Sequence, residues 1–151
     1  SDMISNALRR LVDDVIDKRR IDEENVKELA RNILADGARN REEIDVLVAL
    51  DRATPQSCEG WAEWLIATAV DFAVWTSRPT GVIDREKASW LVTTLGMGEG
   101  PTATAARIAF EVVREAERCD EMLLTFALKH GEGSSKRTHA STGINRAVLV
   151  S

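Results

Sequence analysis

The stretch A-D-G-A-R-N-R-E-E at residues 35–43 places an acid and a glycine, a polar gap, and then two more acids between two apolar segments. Carboxylates at that spacing can do one of two things. They can cap the helices on either side, because a side-chain oxygen in a first turn satisfies backbone N–H groups that have no partner within the helix. Alternatively, Asp36, Glu42 and Glu43 can converge on a hard cation, with Asp22 or Glu24 closing the shell from a neighbouring turn. An all-oxygen set of that kind selects Ca²⁺ or Mg²⁺ over thiolate-seeking metals. Binding would be weak, since Arg39 and Arg41 lie in the same loop and oppose cation capture.

Other candidate chemistry is sparse. His130 and His139 lie in a polar C-terminal segment with no acid or nucleophile at catalytic spacing, and no G-x-S-x-G, phosphate-cradling glycine loop or H-E-x-x-H motif occurs. The chain is therefore expected to be no enzyme. Cys58 and Cys119 show neither CxxC nor Cys/His spacing, the usage of a reduced cytoplasmic protein. The segment T76-S-R-P-T-G-V-I-D-R-E-K aligns Gly81 and Ile83 with an EF-hand loop but puts Thr76, Arg78 and Lys87 at ligand positions, so it should not bind calcium. Asp13, Asp14 and Asp17 share one helix face near Arg9, Arg10, Lys18 and Arg20 and read as a solvated face. Asp71 falls on a stripe with Trp64, Thr68 and Trp75 in an otherwise apolar segment, which predicts a buried carboxylate paired with Arg10, Arg52 or Arg114. Trp61, Trp64, Trp75 and Trp90 are expected in the core, with Trp61 and Trp64 also placed to anchor a partner.

The elements that must position these residues are helices. Ile4, Leu8, Leu11, Val12, Val15 and Ile16 repeat with helical period, and Asp22 caps a second helix through Leu34, closed by Gly37. Asn40 opens a third over Ile44, Leu47 and Val48, and Thr54-Pro55 predicts the start of a fourth that stays apolar nearly all round as far as Trp75. Asp84 caps a fifth, Pro101 restarts the chain into a sixth, and Met122, Leu123 and Phe126 mark a seventh. No segment alternates with period two, although A147-V-L-V has the composition of a short strand. The expectation is an all-α domain over residues 3–128, about seven helices in one bundle, followed by a polar tail over 129–151 whose Ile144, Val148, Leu149 and Val150 are candidates to dock on a groove.

At 151 residues the chain is long enough to bury one core without disulfides or metals. Its 20 basic and 25 acidic residues give a net charge of −5, against the basic surface of a nucleic-acid binder. The longest apolar run, residues 64–75, is broken by Thr68 and Asp71 and is too short to cross a bilayer about 30 Å thick. Ser1-Asp2 ahead of Met3 resembles an expression scar, which makes Met3 the expected native start, and no secretory signal follows it.

An internal match runs at an offset of 62: I21-D-E-E-N-V-K-E-L lies on I83-D-R-E-K-A-S-W-L, and the register continues from Ile33 on Leu95 to Arg52 on Arg114. It predicts two related halves about a pseudo-two-fold, residues 21–52 on 83–114, with short turns recurring at K18-R-R-I-D-E-E, A35-D-G-A-R-N-R-E-E, P79-T-G-V-I-D-R-E and G96-M-G-E-G-P.

A turn of A-D-G form followed by an E-E pair entering a helix resembles the tellurite-resistance TerB family, with Asp36-Gly37 and Glu42-Glu43 carrying the match over residues 4–128. The second turn, P-T-G-V-I-D-R-E-K, is similar but has Thr80 where the acid would stand and Lys87 after the remaining acids. The resemblance implies an all-helical domain of related halves whose helix-end acids can take up divalent cations. It further implies a non-catalytic scaffold or cation-responsive adaptor, working with protein partners in tellurite and other stress resistance. The alternative is a structural protein-interaction domain with no metal site.

Overall fold

The computed structural model describes residues 4–138, with side chains described as far as residue 131. Seven helices form: α1 (Asn6–Lys18), α2 (Glu23–Glu28), α3 (Arg41–Ala53), α4 (Glu59–Val70), α5 (Arg85–Leu95), α6 (Ala103–Glu115) and α7 (Glu121–Thr138). Two of them widen into π-helical turns, α2 through Leu29–Ile33 and α4 through Asp71–Thr76. The proposed docking residues 144 and 148–150, the A147-V-L-V segment and His139 lie outside the described residues.

Five of the seven starts have the same local cause. Ser5, Asp22, Asn40, Asp84 and Thr102 are extended at the N-cap, and each accepts a hydrogen bond from the N–H three residues on. Behind them the apolar stripes meet in one core. Leu8, Leu11 and Val15 come from α1, Ile44, Leu47 and Val48 from α3, Trp61, Leu65 and Ala69 from α4, Leu91 and Leu95 from α5, Ile108, Ala109 and Val112 from α6, and Leu123 from α7.

The element boundaries repeat at the offset of 62. The stretch from Glu23 through the π turn to Ile33 matches Arg85–Leu95, Arg41–Ala53 matches Ala103–Glu115, and α4 and α7 both begin on the matching glutamates Glu59 and Glu121. Backbone pairing repeats too. Val82–Ile83 (β1) runs parallel to Arg118–Cys119 (β2), with Ile83 on Cys119, while the isolated parallel bridge joins Ile21 to Ser57, their counterparts in the first half. Packing repeats within the halves, α2 lying on α4 as α5 lies on α7, but not fully between them: α3 meets α5, whereas the close packing of α4 on α6 has no counterpart of like extent between α7 and α3.

That bridge corrects the start of α4. Thr54-Pro55 does not open the helix, because Gln56 O accepts Ile21 N–H at 3.1 Å and Cys58 N–H donates to Ile21 O at 2.9 Å, holding this segment extended. The helix begins only after Cys58. The polar C-terminal segment differs as well, since α7 continues through residue 138. No proline interrupts that segment, and once a helix is nucleated each added residue brings a hydrogen bond.

Candidate functional site

The loop at 35–43 leaves the π turn of α2 and enters α3. Gly37 takes φ 91°, a left-handed conformation that turns the chain sharply between the two helices. Asn40 caps α3 by accepting Glu43 N–H at 2.9 Å. Glu43 is only 1 % exposed, and its carboxylate is occupied: Oε1 accepts the Arg39 backbone N–H at 2.7 Å and Oε2 the Arg39 guanidinium at 2.9 Å. Asp36 and Glu42 are exposed on either side of it.

Asp22 and Glu24 stand on the α1–α2 turn. Asp22 accepts Asn25 N–H at 3.0 Å and the Lys18 ammonium at 2.7 Å, and the hydrogen bond from Lys18 is the main cause holding its carboxyl below the usual range. Glu24 is exposed, with Lys27 4.0 Å away. The structure thus uses Asp22 and Glu43 as caps and ion-pair partners and leaves Asp36, Glu42 and Glu24 open to solvent. Among the described residues no group of three or more His, Cys, Asp or Glu side chains is arranged to hold a metal ion.

The loop's second arginine does something the sequence did not suggest. Arg41 makes a bidentate pair with Glu86 of α5 at 2.8 and 2.7 Å, and its guanidinium lies 4.9 Å from the Trp90 ring centroid. Trp90 Nε1 in turn donates to Asp45 of α3 at 2.8 Å. One polar seam therefore ties the first turn of α3 to α5, across the two halves. Asp51 makes a similar knot, accepting Trp61 Nε1 at 2.9 Å and Thr102 Oγ at 2.7 Å. Every one of these bonds joins residues at least 10 positions apart, so no local spacing announces them.

Asp71 corrects the expectation of a buried ion pair. It is exposed, because the face of α4 that packs inward carries Trp61, Leu65, Ile66, Ala69, Phe72 and Ala73. Asp71 sits on the other side, near the Gly37 turn. Trp75 shares that outward side, 39 % exposed with Nε1 donating to Glu115 at 3.1 Å, while Trp61 is wholly buried and Trp64 and Trp90 half-buried. Asp71→Ala should consequently shift unfolding free energy by no more than about 0.5 kcal/mol, as surface substitutions do. A urea titration that finds a loss of several kcal/mol would mean the carboxylate is held after all.

The remaining reactive groups are quiet. His130 packs against Phe126, ring centroids 4.6 Å apart and the planes tilted by 53°, with no carboxylate bridged to it among the described residues. Cys58 and Cys119 are free thiols. Burial pushes the Cys119 thiol up from 9.0 to about 11, with Asp120 adding to it. A thiol whose folded pKa is raised holds its proton longer in the fold than in the unfolded chain, so stability falls as pH climbs from 9 toward 11. Cys119→Ala should remove about 1 kcal/mol of the alkaline loss measured by urea titration at pH 7 and pH 10. An identical alkaline slope in parent and variant would contradict this.

No helix among the described residues is long and apolar enough to cross a membrane. Comparison of the chain with protein-family models, curated proteins and solved structures finds no match.

Proposed function

We propose that the chain is a non-catalytic binding or scaffold module of the TerB-like kind, serving tellurite or other stress resistance in a cytoplasmic protein assembly. In this reading Asp22 and Glu43 hold helix ends in place and the loop acids hold no cation. The observation that carries it is the repeat of element boundaries at an offset of 62, with an aspartate N-cap, Asp22 or Asp84, at the same place in each half. Two related helical halves with acids at helix starts are what the resemblance implies. The occupied carboxylate of Glu43 favours the form of that module without a metal site.

A second reading, weak Ca²⁺ or Mg²⁺ uptake through Asp36, Glu42 and Glu24, has only the exposure of these carboxylates behind it, since no three acids among the described residues are brought together to hold an ion. Arg39 and Arg41 stand against it, placing positive charge on both sides of the same turn.

The physiological part of the proposal is tested by deleting the gene in its own cell and measuring growth on graded tellurite. The expected result is lower tolerance, restored by the parent chain supplied in trans. Unchanged tolerance would remove the stress-resistance role.

A further inference from the structure

At the end of α1 a hollow of about 610 Å³ opens between the α1–α2 turn and the segment joining α3 to α4. Its lining includes the consecutive cations Lys18, Arg19 and Arg20 together with Ile16, Pro55 and Gln56. Ile16 is 57 % exposed, a large apolar side chain left uncovered. In a chain of net charge −5, a concave site lined by three adjacent cations runs against the overall balance.

Two observations separate this hollow from an ordinary charged surface. First, Arg19 sits at φ 63°, the one non-glycine residue with positive φ among those described. The left-handed region is unfavourable for a residue with a Cβ; here it closes α1, the Arg19 N–H donating to Val15 O at 2.7 Å, so the turn requires the conformation and not an arginine. In the second half the corresponding turn carries Gly81 at φ 79°, the residue that adopts this conformation freely. The first half thus retains an arginine where its sister uses the unstrained choice.

Second, the sister half shows what lies over such a turn. A Cβ placed on Gly81 would lie 3.1 Å from Glu117 Oε1 and 3.3 Å from the Trp75 ring, so a carboxylate and an apolar ring cover that backbone. At the offset of 62, Pro55 stands in place of Glu117 and Asp13 in place of Trp75. Neither that carboxylate nor that ring is repeated in the first half. Lys18 is held by Asp14 and Asp22, at 2.9 and 2.7 Å, whereas among the described residues no carboxylate bridges Arg19 or Arg20.

We infer that this hollow receives an acidic, partly apolar peptide segment of a protein partner, one carboxylate meeting Arg19 and Arg20 and an adjoining apolar side chain covering Ile16. The inference rests on the reading of the chain as a binding module and names the surface it binds with. Charge complementarity selects the carboxylate. The exposed Ile16 selects a peptide over a small inorganic anion, which would leave that apolar side chain wet.

Fluorescence anisotropy with the full chain tests it, using a fluorescein-labelled peptide of glutamate and leucine, a lysine and leucine peptide of equal length, and inorganic phosphate as competitor at low salt. The parent should bind the acidic peptide, ignore the basic one and resist displacement by phosphate. Arg19→Gly and Arg20→Gln should each weaken binding by about tenfold, the loss of one charge-assisted hydrogen bond. Arg19→Gly should meanwhile melt no lower than the parent, since it relieves the left-handed strain; a purely structural arginine would not separate the two readouts in this way. Unchanged affinity in both variants, equal binding of the basic peptide, or displacement by phosphate at the concentration of the protein would each overturn the assignment. A normal tellurite phenotype with intact, arginine-dependent peptide binding would fault the physiological reading and leave this site standing, and the reverse pair of results would do the opposite.

Discussion

Lys87→Ala is expected to lower the unfolding free energy by about 2–4 kcal/mol. Lys87 is 1 % exposed, an unusual place for a lysine. Its ammonium donates to Ala73 O at 2.7 Å and Pro79 O at 2.8 Å, fastening the π turn that ends α4 to the loop leading into β1. Burial holds its pKa below the usual lysine range, with the Asp84 carboxylate acting in the other direction. Truncation to alanine removes three carbons of the stem and the ammonium from the core and leaves Ala73 O without that donor, in a place water does not readily reach. Lys87→Met keeps the stem and loses only the charged hydrogen bonds, so it should fall between alanine and the parent. Urea unfolding at neutral pH measures all three, and a Lys87→Ala midpoint equal to the parent's would show that the ammonium holds nothing.

Glu43→Ala should be comparably damaging, about 2–4 kcal/mol. The carboxylate is buried, while its partner Arg39 keeps 62 % of its side chain in water, so the charge left behind is solvated and does not add its own penalty. What remains is the Arg39 backbone N–H, stripped of its acceptor at the entry to α3, together with the volume vacated in the core. Glu43→Gln keeps a carbonyl oxygen for that N–H and should cost about 1 kcal/mol. Chemical denaturation of both variants separates the cap from the charge. If glutamine proved as damaging as alanine, the negative charge itself would be what the loop requires.

The sequence made some of this architecture legible and hid the rest for physical reasons. The caps at Asp22, Asn40 and Asp84 were readable because a cap is a local bargain between a side chain and an N–H three residues away, and all three stand where spacing put them. The offset of 62 was visible in a handful of identities and recurs in the boundaries of whole helices. Asp71 was misread because α4 is apolar on nearly every side: a pattern without a polar face carries no phase, and the stripe containing Asp71 was as plausible an inner face as the one containing Ala69 and Phe72. The α4 start was misread because Thr-Pro is a sound helix opening in isolation, and only the distant Ile21 reveals that the backbone there is already engaged. Lys87 went unrecognised as a core residue because its two acceptors are carbonyls, and every residue has one. The same holds for the seam of Arg41, Glu86, Trp90 and Asp45, whose chemistry depends on two helices meeting.

That seam bears on the loop as a whole. Arg39 and Arg41 looked like obstacles to a cation within a cluster of acids. In the folded chain they are the partners: Arg39 neutralises Glu43, and Arg41 crosses to Glu86 in the other half, where the guanidinium keeps that carboxyl below its usual range. Arg39, Arg41 and Glu43 of A-D-G-A-R-N-R-E-E thus serve the junction of α3 with its neighbours, while Asp36 and Glu42 stand in solvent.

Calorimetric titration of the full chain with Ca²⁺ and with Mg²⁺ tests the claim that the acids of this loop hold no cation, with Asp36→Asn and Glu43→Gln run alongside. The account predicts no heat beyond dilution for either ion in the parent. Saturable heat in the parent that disappears in both variants would contradict it and make the loop a cation site.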